Sequence, residues 1–181
     1  MNYEAFGNQL ASGDYARSNL FEVVLYVNNQ MDGPGVIPET LRFMIKTASL
    51  PGKQLGEVQV KRFGAQFKMA NDMIVDTLPM TVICSKDMRE RKFFTAWIEG
   101  IHGSDTGHSA DRYRMAYYDD YTTKMTITSL DREGGEVYAV MLDEAWPNNL
   151  GQVELSWDNS EVSTFTVTMA FRDWFCIATD G

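Results

Sequence analysis

The stretch Val162-Ser163-Thr164-Phe165-Thr166-Val167-Thr168-Met169-Ala170-Phe171-Arg172 alternates Phe165, Val167, Met169 and Phe171 with Thr164, Thr166, Thr168 and Ala170. Side chains on an extended chain point to opposite faces in turn, so this period of two predicts a β-strand with one apolar face. The same period recurs in Leu20 to Val27, where Phe21, Val23, Leu25 and Val27 share a face. Leu20, Val24 and Tyr26 occupy the other face, which allows burial on both sides. After the turn residues Asp32-Gly33-Pro34-Gly35, Thr40 to Ala48 is predicted as a second strand, with Leu41, Phe43 and Ile45 alternating with Arg42, Met44 and Lys46. Met80 to Cys84, Lys124 to Leu130, Val137 to Leu142 and Gln152 to Trp157 are read as further strands. Glu133-Gly134-Gly135 makes a turn between two of them, and Pro147-Asn148-Asn149-Leu150-Gly151 is expected to break the chain before the last.

Two alternating runs flank Phe63-Gly64 after the strand-ending Leu50-Pro51-Gly52. Val58 and Val60 alternate with Glu57, Gln59 and Lys61 on one arm, and Phe67 and Met69 with Gln66 and Lys68 on the other. This pattern predicts an extended hairpin with one apolar face that something must cover. The helical signal begins at Asp87, whose side chain is expected to cap the first turn with Glu90 three residues on. Phe94, Trp97, Ile98 and Ile101 then fall at i, i+3, i+4 and i+7, which gathers them on one stripe for packing against a sheet. The fold expected is mainly β: an antiparallel β-barrel or sandwich of about eight strands, with one flanking α-helix at about 87–101.

A chain of 181 residues fits a single domain, 1–181, with residues 1–15 expected as a flexible N-terminal arm. Apolar residues at 44% and charged residues at 23% are globular proportions and argue against wholesale disorder. No apolar run approaches the ~20 residues that span a bilayer, and the first sixteen residues lack the charged and apolar blocks of a secretory signal. Cys84 and Cys176 sit apart in apolar runs, so neither a disulfide framework nor a CxxC site is suggested and synthesis in a reducing cytoplasm is expected. The net charge of −9 disfavours a surface that grips nucleic acid, and suits one that a polyanion passes without adhering.

Chemistry-bearing motifs are sparse. The two histidines, His102 and His108, share one polar stretch, and no GxSxG elbow, GxxxxGK[ST] loop or GxGxxG turn accompanies them. His102, His108, Asp105 and Asp111 can be drawn as a metal site, against the simpler reading of a solvated loop. Asp119 and Asp120 on an extended segment would point to opposite faces and not share a substrate. No catalytic, cofactor or metal site is assigned. A carbohydrate-binding sandwich is the alternative from another class, and it requires Trp146, Trp157 and Trp174 on one exposed flat face.

Five runs in order resemble the tail tube proteins of contractile-tailed bacteriophages. They are Ala16-Arg17-Ser18-Asn19-Leu20-Phe21, then Ala48-Ser49-Leu50-Pro51-Gly52, then Arg91-Lys92-Phe93-Phe94-Thr95-Ala96-Trp97. Tyr117-Tyr118-Asp119-Asp120-Tyr121 with Leu130-Asp131-Arg132-Glu133-Gly134 follows, and Ala145-Trp146-Pro147-Asn148-Asn149-Leu150-Gly151 before Phe165-Thr166-Val167-Thr168 closes the series. The resemblance extends to the related baseplate tube-initiator proteins and to the tube subunits of tailocins and type VI secretion.

The resemblance implies hexameric rings, closed through strands shared between neighbours and stacked into a hollow conduit inside a contractile sheath. It implies sheath, baseplate and tail-terminator partners, DNA passing through without specific binding, a place in the virion after assembly in the host cytoplasm, no cofactor and no catalysis. Under it, Val58, Val60, Phe63, Gly64, Phe67 and Met69 are expected at the subunit interface. Glu57, Asp72 and Asp76 are expected to face the lumen. Leu50, Pro51, Gly52, Trp97, Tyr117, Tyr118, Asp119, Asp120, Tyr121, Pro147 and Gly151 are read as structural. A baseplate protein of the same fold that initiates the tube is the nearest alternative.

Overall fold

The computed structural model describes residues 18–26, 41–42, 44–102, 115–158 and 161–177. The N-terminal arm at 1–15, the turn at 32–35, Phe43, Asp105, His108 and Asp111 lie outside these residues. The described strands are β1 (Phe21–Tyr26), β2 (Ile45–Ala48), β3 (Gln54–Arg62), β4 (Ala65–Ile74), β5 (Leu78–Ile83), β6 (Thr123–Leu130), β7 (Glu136–Leu150), β8 (Thr164–Ala170) and β9 (Asp173–Ile177). Helix α1 (Arg89–His102) and the single turn α2 (Tyr118–Tyr121) accompany them.

Every pairing is antiparallel. The main sheet runs β1-β6-β7-β8-β5-β2, with β9 on a further edge of β7, while among the described residues β3 and β4 pair only with each other. Strand β7 explains the layering. Its first part pairs with β6 and β9, and from Trp146 onward it pairs with β8. The switch falls at a bulge around Glu144, a non-glycine residue at φ 53°. Bulges bend a strand and increase its twist, so β7 leaves one layer and enters the other. The result is a sandwich and not the closed barrel also expected, because among the described residues β1 and β2 end the strand path and do not pair with one another.

The core is built by the period of two. Phe165, Val167 and Met169 of β8 are buried, as are Leu78, Met80 and Val82 of β5 and Val23 and Leu25 of β1. Helix α1 adds Phe93, Phe94, Trp97 and Ile101 to the same cluster. Phe94 meets Phe165 edge to face at 6.1 Å between ring centres. The helical stripe is rotated slightly from the expected one, since Phe93 is buried and Ile98 only half-buried.

Several expected boundaries move for physical reasons. Residues 41, 42 and 44 are helical, and the strand is confined to Ile45–Ala48. Leu41 and Ile45, four apart, both reach the core, because a spacing of four returns to the same face on a helix as it does on a strand. The break expected at Pro147 is instead the end of β7, bulged between Pro147 and Asn149. Proline is tolerated there because this part of β7 is paired on one edge only. Residues 152–157 form no strand. Within the long run Val162–Arg172 the strand is β8, Thr164–Ala170, and β9 begins just beyond the run at Asp173.

Candidate assembly surface

The β3–β4 hairpin is the described element that leaves most apolar surface uncovered. Its register sets Val58 opposite Met69 and Val60 opposite Phe67, so these four side chains share one face. Val58, Phe67 and Met69 are all exposed, and Val60 is half-buried. The opposite face is polar and self-satisfied. Glu57 accepts from Lys68 at 2.6 Å, and Gln66 donates to Gln59. A two-residue turn, Phe63-Gly64, closes the hairpin with both residues at positive φ, 51° and 82°. That is the sign pattern of a type I′ turn, whose twist matches the flanking strands. Phe63 is 99% exposed.

The root of the hairpin is anchored. Trp174 of β9 donates its indole N–H to the carbonyl of Gly52 at 3.2 Å. Lys53 lies over the Trp174 ring at 4.6 Å and pairs with Asp173 at 3.5 Å. The Leu50-Pro51-Gly52 run therefore meets the last strand, a contact that nothing in the local pattern announces. Leu50 is exposed and Pro51 half-buried.

The remaining motif residues interlock. Trp97 of α1 donates its indole N–H to the Tyr121 carbonyl at 2.9 Å. Tyr121 packs edge to face on Trp146 at 5.9 Å and on Tyr118 at 5.5 Å. Asp119 and Asp120 lie on the helical turn α2 and not on an extended segment, and both are exposed, as is Tyr117. Burial, with the Glu144 carboxylate next, raises the pKa of the Tyr118 hydroxyl. Arg172 holds Glu144 at 2.5 Å, beside the bend in β7.

The start of α1 is held differently from the expectation. Ser85, not Asp87, faces the first turn: its hydroxyl accepts from the Arg89 amide at 3.4 Å, and Glu90 reaches back to accept from the Ser85 amide at 2.9 Å. Asp87 pairs with Arg89 at the surface, at 3.1 Å. Met88 at φ 50° turns the chain into the helix and displaces Asp87 from the capping position.

The residues expected at a lumen are all exposed on or beside the hairpin: Glu57 paired with Lys68, Asp72 accepting from Asn71 at 2.7 Å, and Asp76 beyond β4. The three tryptophans do not form a platform, since Trp146 and Trp174 pack on the core and only Trp157 is fully exposed. Of the drawn metal ligands, His102 ends α1, and the other three lie outside the described residues.

Comparison with known proteins follows the same boundaries. A family described as phage tail tube protein matches residues 16–177. The chain is 26% identical over 168 residues to tail tube protein gp19 of Enterobacteria phage T4, covering 90% of this chain and 93% of that protein. It is 29% identical over 120 residues to the tail tube protein of Serratia phage KSP90, covering 66% of this chain and 64% of the relative. In fold it resembles a chain of the anti-feeding prophage baseplate, solved by cryo-EM with six-fold symmetrisation, at a TM-score of 0.67 and 14% identity over 93% of this chain and 99% of that one. A chain of the sheath–tube complex of an extracellular contractile injection system superposes at a TM-score of 0.58 and 15% identity, over 94% and 97%.

Proposed function

Because the chain belongs to the phage tail tube protein family, we propose that it closes into hexameric rings that stack as a hollow conduit, with the β3–β4 hairpin joining neighbouring subunits. It is a structural subunit of the tail tube and a component of the virion. The observation that carries the assembly reading is the hairpin itself. Strands of 9 and 10 residues pair, among the described residues, only with each other and expose Val58, Phe67 and Met69 on one face. An apolar two-stranded ribbon is marginal in water and invites another chain to cover it.

The outer edges of β1 and β2, which pair with no other described strand, add to this reading, because ring closure through neighbours removes edges that a lone sandwich leaves. Sheath, baseplate and terminator proteins are the partners, and the tube is assembled in the host cytoplasm. DNA passes through the lumen without specific binding, in keeping with a net charge of −9. Glu57, Asp72 and Asp76 are the residues proposed for the lumen side of the hairpin. The subunit catalyses no reaction, and residues 1–181 act as one domain.

Electron microscopy of the purified protein tests the reading. Self-assembled open tubes are the expected result. Isolated single rings under several salt conditions would assign the protein to tube initiation at the baseplate instead.

A further inference from the structure

The turn residue Phe63 breaks a local rule. A type I′ turn favours Asn, Asp or Gly at its first position, because a bulky side chain at positive φ is strained. Here that position, at φ 51°, holds a phenylalanine whose ring contacts water on nearly all sides. Neither the fold nor the solvent rewards this choice, and strain of this kind concentrates at functional sites. The tip is also cationic: residues 59–68 hold Lys61, Arg62 and Lys68 and no acidic residue. Arg62 places its guanidinium 6.0 Å from the Phe63 ring centre.

The segment after β7 has the opposite character. Residues 152–163 hold Glu154, Asp158 and Glu161 and no lysine or arginine. A groove of about 600 Å³ runs along it, lined by Glu154, Leu155, Trp157, Glu161 and Val162 over the edge of Phe165. Leu155, Trp157 and Val162 are all strongly exposed, and Trp157 completely so. The groove thus sets Leu155, Trp157 and Val162 among serine, threonine and glutamine side chains with two carboxylates at hand, where the hairpin tip is aromatic with a basic rim.

We propose that the groove at 152–166 receives the hairpin tip of a second copy of this chain, with Phe63 seated against Leu155, Trp157 and Val162 and Arg62 facing Glu154. The proposal rests on the tube reading and gives the hairpin its docking site. Two different, mutually complementary patches make a head-to-tail contact, which propagates into rings or filaments rather than stopping at a dimer. Complementary charge sets the register, and the aromatic anchor fills the pocket.

Cross-linking tests the pairing directly. In a background carrying Cys84→Ala and Cys176→Ser, one preparation has Ala65→Cys beside the tip and another Ser156→Cys in the groove, which leaves Phe63, Leu155, Trp157 and Val162 in place, each confirmed folded by circular dichroism. Mixing under copper-catalysed air oxidation is expected to give a 65–156 linked dimer, and a chain with both cysteines a ladder of oligomers. Links only between like positions, or none, would overturn the proposal.

Two further variants separate docking from folding. Phe63→Asn supplies the favoured turn residue, so the hairpin persists while tube formation is lost. Arg62→Glu alone abolishes sedimentable polymer, and adding Glu154→Arg restores it. Normal tubes from Phe63→Asn, or no recovery in the double variant, would overturn the docking site. Cross-links without tubes from the unmodified chain would instead refute the tube reading and leave the pairing intact.

Discussion

The Nη1 of Arg91 donates to the carbonyl of Gly151 at 2.9 Å, joining the first turn of α1 to a residue 60 positions later. The amide of the same glycine donates to the Thr166 carbonyl at 2.7 Å, so the helix, the end of β7 and the middle of β8 meet at one point. The Arg91 guanidinium also lies 5.6 Å from the centre of the Phe165 ring. Two of the runs that resemble tail tube proteins are therefore in contact through one side chain.

A Cβ at Gly151 would come within 2.9 Å of the Thr166 carbonyl oxygen. Gly151→Ala is expected to destabilise the fold by about 1–3 kcal/mol, the usual range for overpacking, seen as a lower urea midpoint with an unchanged slope. At Gly135, an added Cβ meets nothing within 4 Å, and Gly135→Ala should stay within about 0.5 kcal/mol of the parent.

Trp97 is nearly fully buried and spends its indole N–H on the Tyr121 carbonyl. Trp97→Phe leaves that carbonyl without its partner and is expected to cost about 1–3 kcal/mol, while Trp97→Ala should cost about 3–5 kcal/mol through the cavity as well. Chemical denaturation of both variants distinguishes the hydrogen bond from the packing.

Glu90 is 1% exposed and accepts from the Ser85 amide, whereas Asp87 makes only a surface pair. Glu90→Ala is expected to destabilise by about 1–3 kcal/mol, because a partly buried N–H loses its acceptor. Asp87→Ala should change stability by less than about 1 kcal/mol. The reverse order would return the cap to Asp87.

The double variant Val58→Asp with Val60→Asp places charge on the apolar face of the hairpin. A folded subunit with native circular dichroism and no tubes under the microscope is expected, since the charges would be buried only on assembly. Tubes of normal length from this variant would remove that face from the interface.

Burial raises the pKa of the Cys84 thiol, and the Glu90 carboxylate raises it further, against a partial offset from Arg91. The thiolate is the reactive species, so a raised pKa and a half-buried position both slow attack. Alkylation at about pH 8, inside the ordinary thiol range, is expected to label the exposed Cys176 before Cys84, as read by mass spectrometry over time.

Much of the site was legible from residue order. The hairpin turn at Phe63-Gly64 follows from two alternating arms around a glycine, and the register that brings Val58 to Met69 follows from the length of that turn. The docking groove was not legible. Residues 152–157 carry an alternation that reads as a strand, yet after Gly151 bonds to Thr166 the chain leaves the sheet and exposes Leu155 and Trp157. Only the missing ladder partner distinguishes the two outcomes, and that partner lies elsewhere in the chain.

By itself, the order of residues determined the β-rich class, most of the strands, the helix near Phe94 and Trp97, and the apolar ribbon with an aromatic tip. These depend on periodicity and turn chemistry, which act between residues a few positions apart. Tertiary structure decided that the sheets form a sandwich split at Glu144, that Ser85 receives Glu90, and that Arg91, Gly151 and Thr166 converge. Each of those depends on groups distant in sequence competing for the same partner or the same space, and a local pattern holds no record of which one wins.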